Sequence, residues 1–210
     1  MARHPAGVRR GRLGVGRGID AYHTVLYLHL LSVFALIGGI TVVGLSYLRL
    51  RAARSLADAA PWATAADQVG WVFPLSILGL LGTGAYLTSD SWTWSTGWID
   101  VSIATLILVS LQGPIVAGPR TRALKLALDE SVPGPLEQRV RTLTRDTALW
   151  VVIFANPGMV LGITWNMTVK PGTAGAVAAV VVGYAVGAGA ALALTRNPAG
   201  DRISGPPPVE

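Results

Sequence analysis

The chain has 210 residues, of which 51% are hydrophobic and 13% charged. Water-soluble domains average about a quarter charged residues, so this composition excludes an ordinary soluble domain as the main part of the protein. Cysteine is absent, which excludes disulfides, thiolate metal sites, iron–sulfur clusters and a cysteine nucleophile. We attribute the net charge of +6 to the basic loops of a membrane protein rather than to nucleic-acid binding.

The chain begins with a basic arm, which we predict to be disordered over residues 1–20 because it is rich in Gly and Arg. Five long apolar segments follow, at 22–48, 70–88, 98–118, 148–168 and 174–194, and none of them contains Lys, Arg or Glu. A helix needs about 20 residues to cross the ~30 Å hydrocarbon layer. The sequence therefore predicts an all-α transmembrane bundle of five spans, a four-helix core plus a Gly-rich fifth helix. This single domain covers 21–195, and a disordered tail follows over 196–210.

The basic residues predict the orientation. The first loop, the third loop and the C-terminal tail share one side and carry 11 Lys or Arg residues, against 6 on the other side. The positive-inside rule then places the N-terminus outside and the C-terminus in the cytoplasm of a plasma-membrane protein. Tryptophan favours the membrane–water interface, and the predicted interfacial residues are Trp92, Trp94, Trp98 and Trp165 on the outer side and Trp71 and Trp150 on the inner side.

The third loop, 119–147, has a helical pattern of its own. We predict short helices over 121–129 and 136–146, separated by the run Pro133-Gly134-Pro135. An amphipathic basic hairpin lying on the inner leaflet is one interpretation. A docking surface for a cytoplasmic protein is the alternative.

The fifth span contains small residues at every fourth position, namely Gly175, Ala179, Gly183, Gly187 and Ala191. Such a ridge lets another helix approach closely, so that van der Waals contacts hold the pair together. The fourth span is the natural neighbour because the connecting turn is short. Homodimerisation through the same ridge is the alternative.

Four polar residues inside the spans are candidates for a pocket: His29, Ser32, Gln112 and Asn156. Gln112 and Asn156 each lie just before a proline, which kinks a membrane helix and frees a carbonyl. A histidine inside a membrane span is a functional candidate by default. The alternative is that these side chains only join neighbouring helices by hydrogen bonds. We predict that His29 and Asn156 face the bundle interior.

Three features of the sequence resemble a known family: His29, the apolar run from His29 to Gly38-Gly39, and the stretch 79–87. Over about 22–168, the chain resembles a bacterial family of integral membrane proteins classed as a domain of unknown function with about four spans. That family is distantly similar to the copper-resistance D proteins and to the membrane-bound protoporphyrinogen oxidase. The resemblance implies a role for His29 alone. The oxidase-type relatives pair this histidine with a lysine in a later span, and no predicted span here contains lysine.

Three functions stay open at this point. The first is a non-enzymatic membrane protein, either a structural partner or a bundle that binds a small solute. The second is a redox or tetrapyrrole-linked membrane enzyme that uses His29 for haem or porphyrin. The third is a transporter or channel. We expect no metal site and, under the first hypothesis, no cofactor, and the expected partners are the lipid bilayer and either another membrane protein or a second copy.

Overall fold

The computed structural model describes residues 21–196. Its helices are α1 (Ala21–Ala52), α2 (Leu56–Val69), α3 (Val72–Ser91), α4 (Gly97–Gln112), α5 (Gly118–Asp129), α6 (Gln138–Leu143), α7 (Thr147–Val169) and α8 (Thr173–Arg196), and a π-helical turn at Gly113–Ala117 joins α4 to α5. The described part contains no strand and one isolated bridge, between Ser55 and Pro135. The arm predicted over 1–20 lies outside the described residues, as does the tail except for Arg196, the last residue of α8.

Five segments are long and apolar enough to cross a membrane, so the predicted multi-pass helical bundle is confirmed. They are Ala21–Ala52, Leu56–Ser91, Gly97–Asp129, Thr147–Val169 and Thr173–Arg196. The first three contain 32, 36 and 33 residues. A helix of that length measures about 50 Å, which exceeds the ~30 Å hydrocarbon layer. These three segments therefore extend beyond the layer.

The core inside the membrane joins four helices. Leu36 of α1, Leu80 of α3, Leu106 of α4, and Val160 and Ile163 of α7 form one buried cluster. α8 contributes nothing to that cluster and packs instead against α7 and α4. The result is the four-helix core with an added fifth helix that the sequence predicts.

The sequence analysis missed α2. Ser55 caps its first turn, because the Ser55 hydroxyl accepts from the backbone N–H of Asp58 and the Asp58 carboxylate accepts from the backbone N–H of Ser55. This capping box satisfies two backbone donors that have no helical partner. α2 leads almost directly into α3 through Gly70 and Trp71, both in right-handed helical conformation.

The helix predicted over 121–129 is not separate from the third span. α5 begins at Gly118 and continues α4 through the π-helical turn, which contains Pro114. A π-helical turn absorbs the backbone irregularity that proline imposes. The helix predicted over 136–146 shrinks to Gln138–Leu143. By contrast, α7 passes through Pro157 as one continuous helix.

One end of the molecule, formed by α2, α5 and α6, will be called the basic end. Its first and third loops are joined by two backbone hydrogen bonds of 3.0 Å, from Leu56 to Gly134 and from Leu136 to Arg54. Beneath them lies a second apolar core that includes Trp150. Trp150 is 0% exposed and donates its indole N–H to the Thr144 carbonyl at 2.8 Å. Trp150 thus lies at the basic end, and its ring fills this core rather than facing lipid.

The surface between the two ends is apolar, as a lipid-facing surface should be. Large exposed hydrophobic side chains occur on all five segments. At the end opposite the basic end, the exposed tryptophans are Trp92, Trp94 and Trp165. Trp71, at the junction of α2 and α3, is exposed towards the basic end.

Candidate functional site

His29 lies in the contact between α1 and α3, called here the α1–α3 seam. Its side chain is 7% exposed, and its Nδ1 lies 2.8 Å from Thr83 Oγ1. The Thr83 hydroxyl also lies 2.5 Å from the carbonyl oxygen of Gly79, which can only accept. A hydroxyl has one proton, so Thr83 donates to Gly79 and accepts from His29. The hydrogen-bond network thus assigns the ring proton of neutral His29 to Nδ1.

Ser32 lies in the same seam, about one turn from His29. Its hydroxyl donates to the Leu28 carbonyl at 2.9 Å. Gly79 faces it so closely that a Cβ there would collide with Ser32 Oγ, and a Cβ on Gly84 would lie 3.5 Å from His29 Cε1. The two glycines therefore let α3 approach the polar face of α1.

Asn156 presents a polar atom without a partner. Its Oδ1 is buried and has no hydrogen-bond partner among residues 21–196. Pro157 follows it, and because proline has no N–H, the carbonyl of Ile153 receives no helical bond from that position. Two acceptors therefore lie within one turn, near the middle of α7. Gln112 is the partly exposed last residue of α4.

Two surface depressions stand out in the part of the chain that the structure describes. One is a groove of about 530 Å³ between α7 and α8, and the other, of about 340 Å³, lies between the start of α2 and the loop at Pro133 and Gly134. None of the four predicted pocket residues lines either depression. His29 and Ser32 belong to the α1–α3 seam, whereas Gln112 and Asn156 belong to α4 and α7.

The small residues of the fifth span are distributed unevenly. Gly183 and Gly187 lie directly on α7: a Cβ on Gly183 would collide with the Gly158 carbonyl, and one on Gly187 with the Phe154 carbonyl. Ala179 lies close by, with its carbonyl 2.9 Å from a Cβ built on Gly162.

The two ends of the predicted ridge differ from its middle. Ala191 is fully buried in the core of the basic end. Gly175 is exposed, and a Cβ on it would lie 3.0 Å from the Pro171 ring. The α7–α8 contact thus uses the middle of the ridge, which leaves Gly183 and Gly187 occupied within the chain.

Sequence analysis missed the α7 half of this contact. Gly158 and Gly162 are four residues apart, the spacing of small residues that allows close helix packing. The spacing is visible in the sequence, directly beside Pro157, which predicts a kink.

Asn166 is a further polar residue that sequence analysis missed. It is 0% exposed, and its Nδ2 lies 3.5 Å from Ser102 Oγ and 3.4 Å from the Ala176 carbonyl oxygen. That carbonyl can only accept, which fixes the orientation of the amide. Asn166 therefore joins α7 to α4 and α8, although its own Oδ1 has no partner among the described residues.

No protein-family model, no curated protein and no solved structure matches this chain. Within residues 21–196, no three His, Cys, Asp or Glu residues group in a way that could hold a metal ion.

Proposed function

We propose that the protein is a non-enzymatic multi-pass protein of the plasma membrane that serves as a structural partner for another membrane protein. The observation that carries this proposal is the hydrogen bond from His29 to Thr83. The histidine that is the strongest functional candidate in the spans is used to hold α1 against α3. Further polar side chains of the spans also have partners within the protein: Ser102, Thr105 and Thr164 donate to carbonyls of their own helices.

The groove between α7 and α8 supplies a surface for a partner within the bilayer. Small residues of both helices line it, together with the exposed side chains of Leu161, Trp165 and Val182. Gly158, Gly162 and Gly183 already contact backbone across the α7–α8 pair, so the exposed Gly175 and Ala178 are the small residues that allow another helix to approach. Because Gly183 and Gly187 already contact α7, a homodimer would have to use a different face of α8.

We further propose that the N-terminus is outside and that the basic end is cytoplasmic. Within residues 21–196, the basic end and the helix termini beside it carry ten Lys or Arg residues and six Asp or Glu residues. An excess of Lys and Arg is typical of cytoplasmic loops.

The tetrapyrrole-linked alternative fits this arrangement poorly. A macrocycle bound at His29 would need open space beside the ring, yet the ring is buried, Nδ1 is bonded to Thr83, and Gly84 lies against Cε1. The α1–α3 seam would have to separate before haem or porphyrin could reach the imidazole.

Binding of a small polar solute is the second candidate, and Asn156 favours it. The unpartnered Oδ1 and the Ile153 carbonyl are both acceptors, so a hydrogen-bond donor would satisfy them. A buried amide oxygen without a donor costs about 1–3 kcal/mol. A solute rich in N–H or O–H groups is the chemical class that would relieve this cost.

Variants in the seam test the proposed function in purified, detergent-solubilised protein. If His29 is a packing residue, then His29→Leu and Thr83→Val should each lower the free energy of unfolding by about 1 kcal/mol. The double variant should lower the free energy of unfolding by less than the sum of the two single losses, because both single changes remove the same hydrogen bond. His29→Gln keeps a donor, so its loss of unfolding free energy should be smaller than that of His29→Leu.

An absorption spectrum completes the test. The proposal expects no visible chromophore in the wild-type protein. A Soret band that is present in the wild type and absent in His29→Gln would refute the structural role and establish the tetrapyrrole-linked one.

A further inference from the structure

Arg122 stands on the apolar outer face of the third segment. Along α4, the π-helical turn and α5, exposed residues recur three or four positions apart: Leu108, Leu111, Ile115, Pro119, Arg122 and Leu126. This set is called here the α4–α5 outer stripe. Ile115 is 65% and Leu126 57% exposed, so neither is covered by the rest of the bundle. Arg122 is thus a cation set between apolar side chains on a surface that faces lipid.

The depth of Arg122 follows from helix geometry. Gly97 begins α4 at the end of the molecule that carries Trp92 and Trp98. Arg122 comes 25 residues later, which is about 38 Å along the axis at 1.5 Å per residue. A bilayer measures about 30 Å across its hydrocarbon and about 40–45 Å with its headgroups. Arg122, in the α5 part of the basic end, therefore lies at the level of the headgroups.

The neighbouring cations are bonded to groups of the protein, but Arg122 is not. Arg120 pairs with Asp146 at 3.0 Å, Lys125 with Asp67 at 2.8 Å, and Arg139 with Glu130 at 2.7 Å. Among residues 21–196, Arg122 has no ion pair or hydrogen bond. Its guanidinium has five donors in a planar fork that matches the oxygens of a phosphate.

We propose that the α4–α5 outer stripe binds an anionic phospholipid, with its phosphate on Arg122 and an acyl chain along Leu111 and Ile115. The apolar residues on the bilayer side of Arg122 suit the acyl chain, and the excess positive charge of this end attracts an anionic headgroup. Free phosphate shares the phosphate chemistry but gains nothing from the apolar side chains, so the lipid is the occupant we assign.

The test measures the binding of phosphatidylglycerol to the full-length protein in detergent by native mass spectrometry, with phosphatidylcholine as the zwitterionic reference. Arg122→Gln should weaken phosphatidylglycerol binding about fivefold, because one basic residue near an anionic surface contributes about that factor. Arg54→Gln is the matched control: it removes one exposed positive charge from the same end, at the turn between α1 and α2, and should leave binding within a factor of two.

Equal loss in both variants would show that only total charge matters and would overturn the proposal. An unchanged affinity in Arg122→Gln, or equal wild-type affinities for phosphatidylglycerol and phosphatidylcholine, would overturn it as well. If millimolar inorganic phosphate displaces bound phosphatidylglycerol as effectively as added phosphatidylglycerol does, the site binds free phosphate and the lipid assignment is refuted. Because His29 and Thr83 take no part, these outcomes do not depend on the proposed structural role of the seam.

Discussion

The contact between α7 and α8 depends on the absence of a side chain at Gly187. A Cβ built there would lie 2.8 Å from the Cα of Ala155 and would collide with the Phe154 carbonyl. Ordinary contacts of a Cβ begin near 3.4 Å, and the atoms in the way are backbone atoms, which cannot turn aside. We therefore predict that Gly187→Ala forces α7 and α8 apart locally.

The size of the effect follows from the distances. The helices must separate by about 0.6 Å or more, and such overpacking typically costs about 1–3 kcal/mol. Gly→Ala within a helix gains at most about 0.5–1 kcal/mol from the lower backbone entropy of alanine. Subtracting the gain from the cost predicts a net loss of up to about 2.5 kcal/mol in the free energy of unfolding.

Gly189 is the matched control, two residues further along the same helix. A Cβ there would meet nothing within 4 Å, so Gly189→Ala should leave stability unchanged or raise it slightly. Unfolding of both variants in detergent can be followed by tryptophan fluorescence, since α7 contains Trp150 and Trp165. If Gly187→Ala unfolds at the same denaturant concentration as Gly189→Ala, the close-packed contact described here is incorrect.

Three further predictions address other parts of the molecule. Asn166→Asp is isosteric but places a carboxylate against the Ala176 carbonyl in a fully buried position. Thermal unfolding at neutral pH should therefore show a free energy of unfolding lower by about 2 kcal/mol or more. Melting identical to the wild type would contradict the assigned orientation of the amide. Ser55→Ala removes the cap of α2 and should cost about 1 kcal/mol, with Thr64→Ala, whose hydroxyl bonds only within α2, as the unaffected control. A reporter that works only in the cytoplasm should be active when fused at Pro133 and inactive at Ser95, and a reporter that works only outside should show the opposite pattern. The reverse result would invert the proposed orientation.

The five-span architecture could be predicted because the bilayer leaves few choices. Backbone groups in hydrocarbon must be satisfied within the chain, so a sufficiently long apolar segment becomes a helix whatever its details. The small residues of the fifth span were visible for a related reason: glycine at four-residue spacing has few uses in a membrane helix other than close packing. Gly183 and Gly187 indeed lie on α7.

Which face of each helix is buried was decided only by the tertiary structure. Lipid and protein interior are both apolar, so a membrane helix lacks the polar face that reveals orientation in a soluble protein. For this reason the sequence did not show that the ring of Trp150 is buried in a core, and Asn166 went unnoticed although it is more deeply buried than Asn156. The partner of His29 was equally hidden, because Thr83 lies 54 positions away and only the packing of α1 on α3 brings the imidazole and the hydroxyl together.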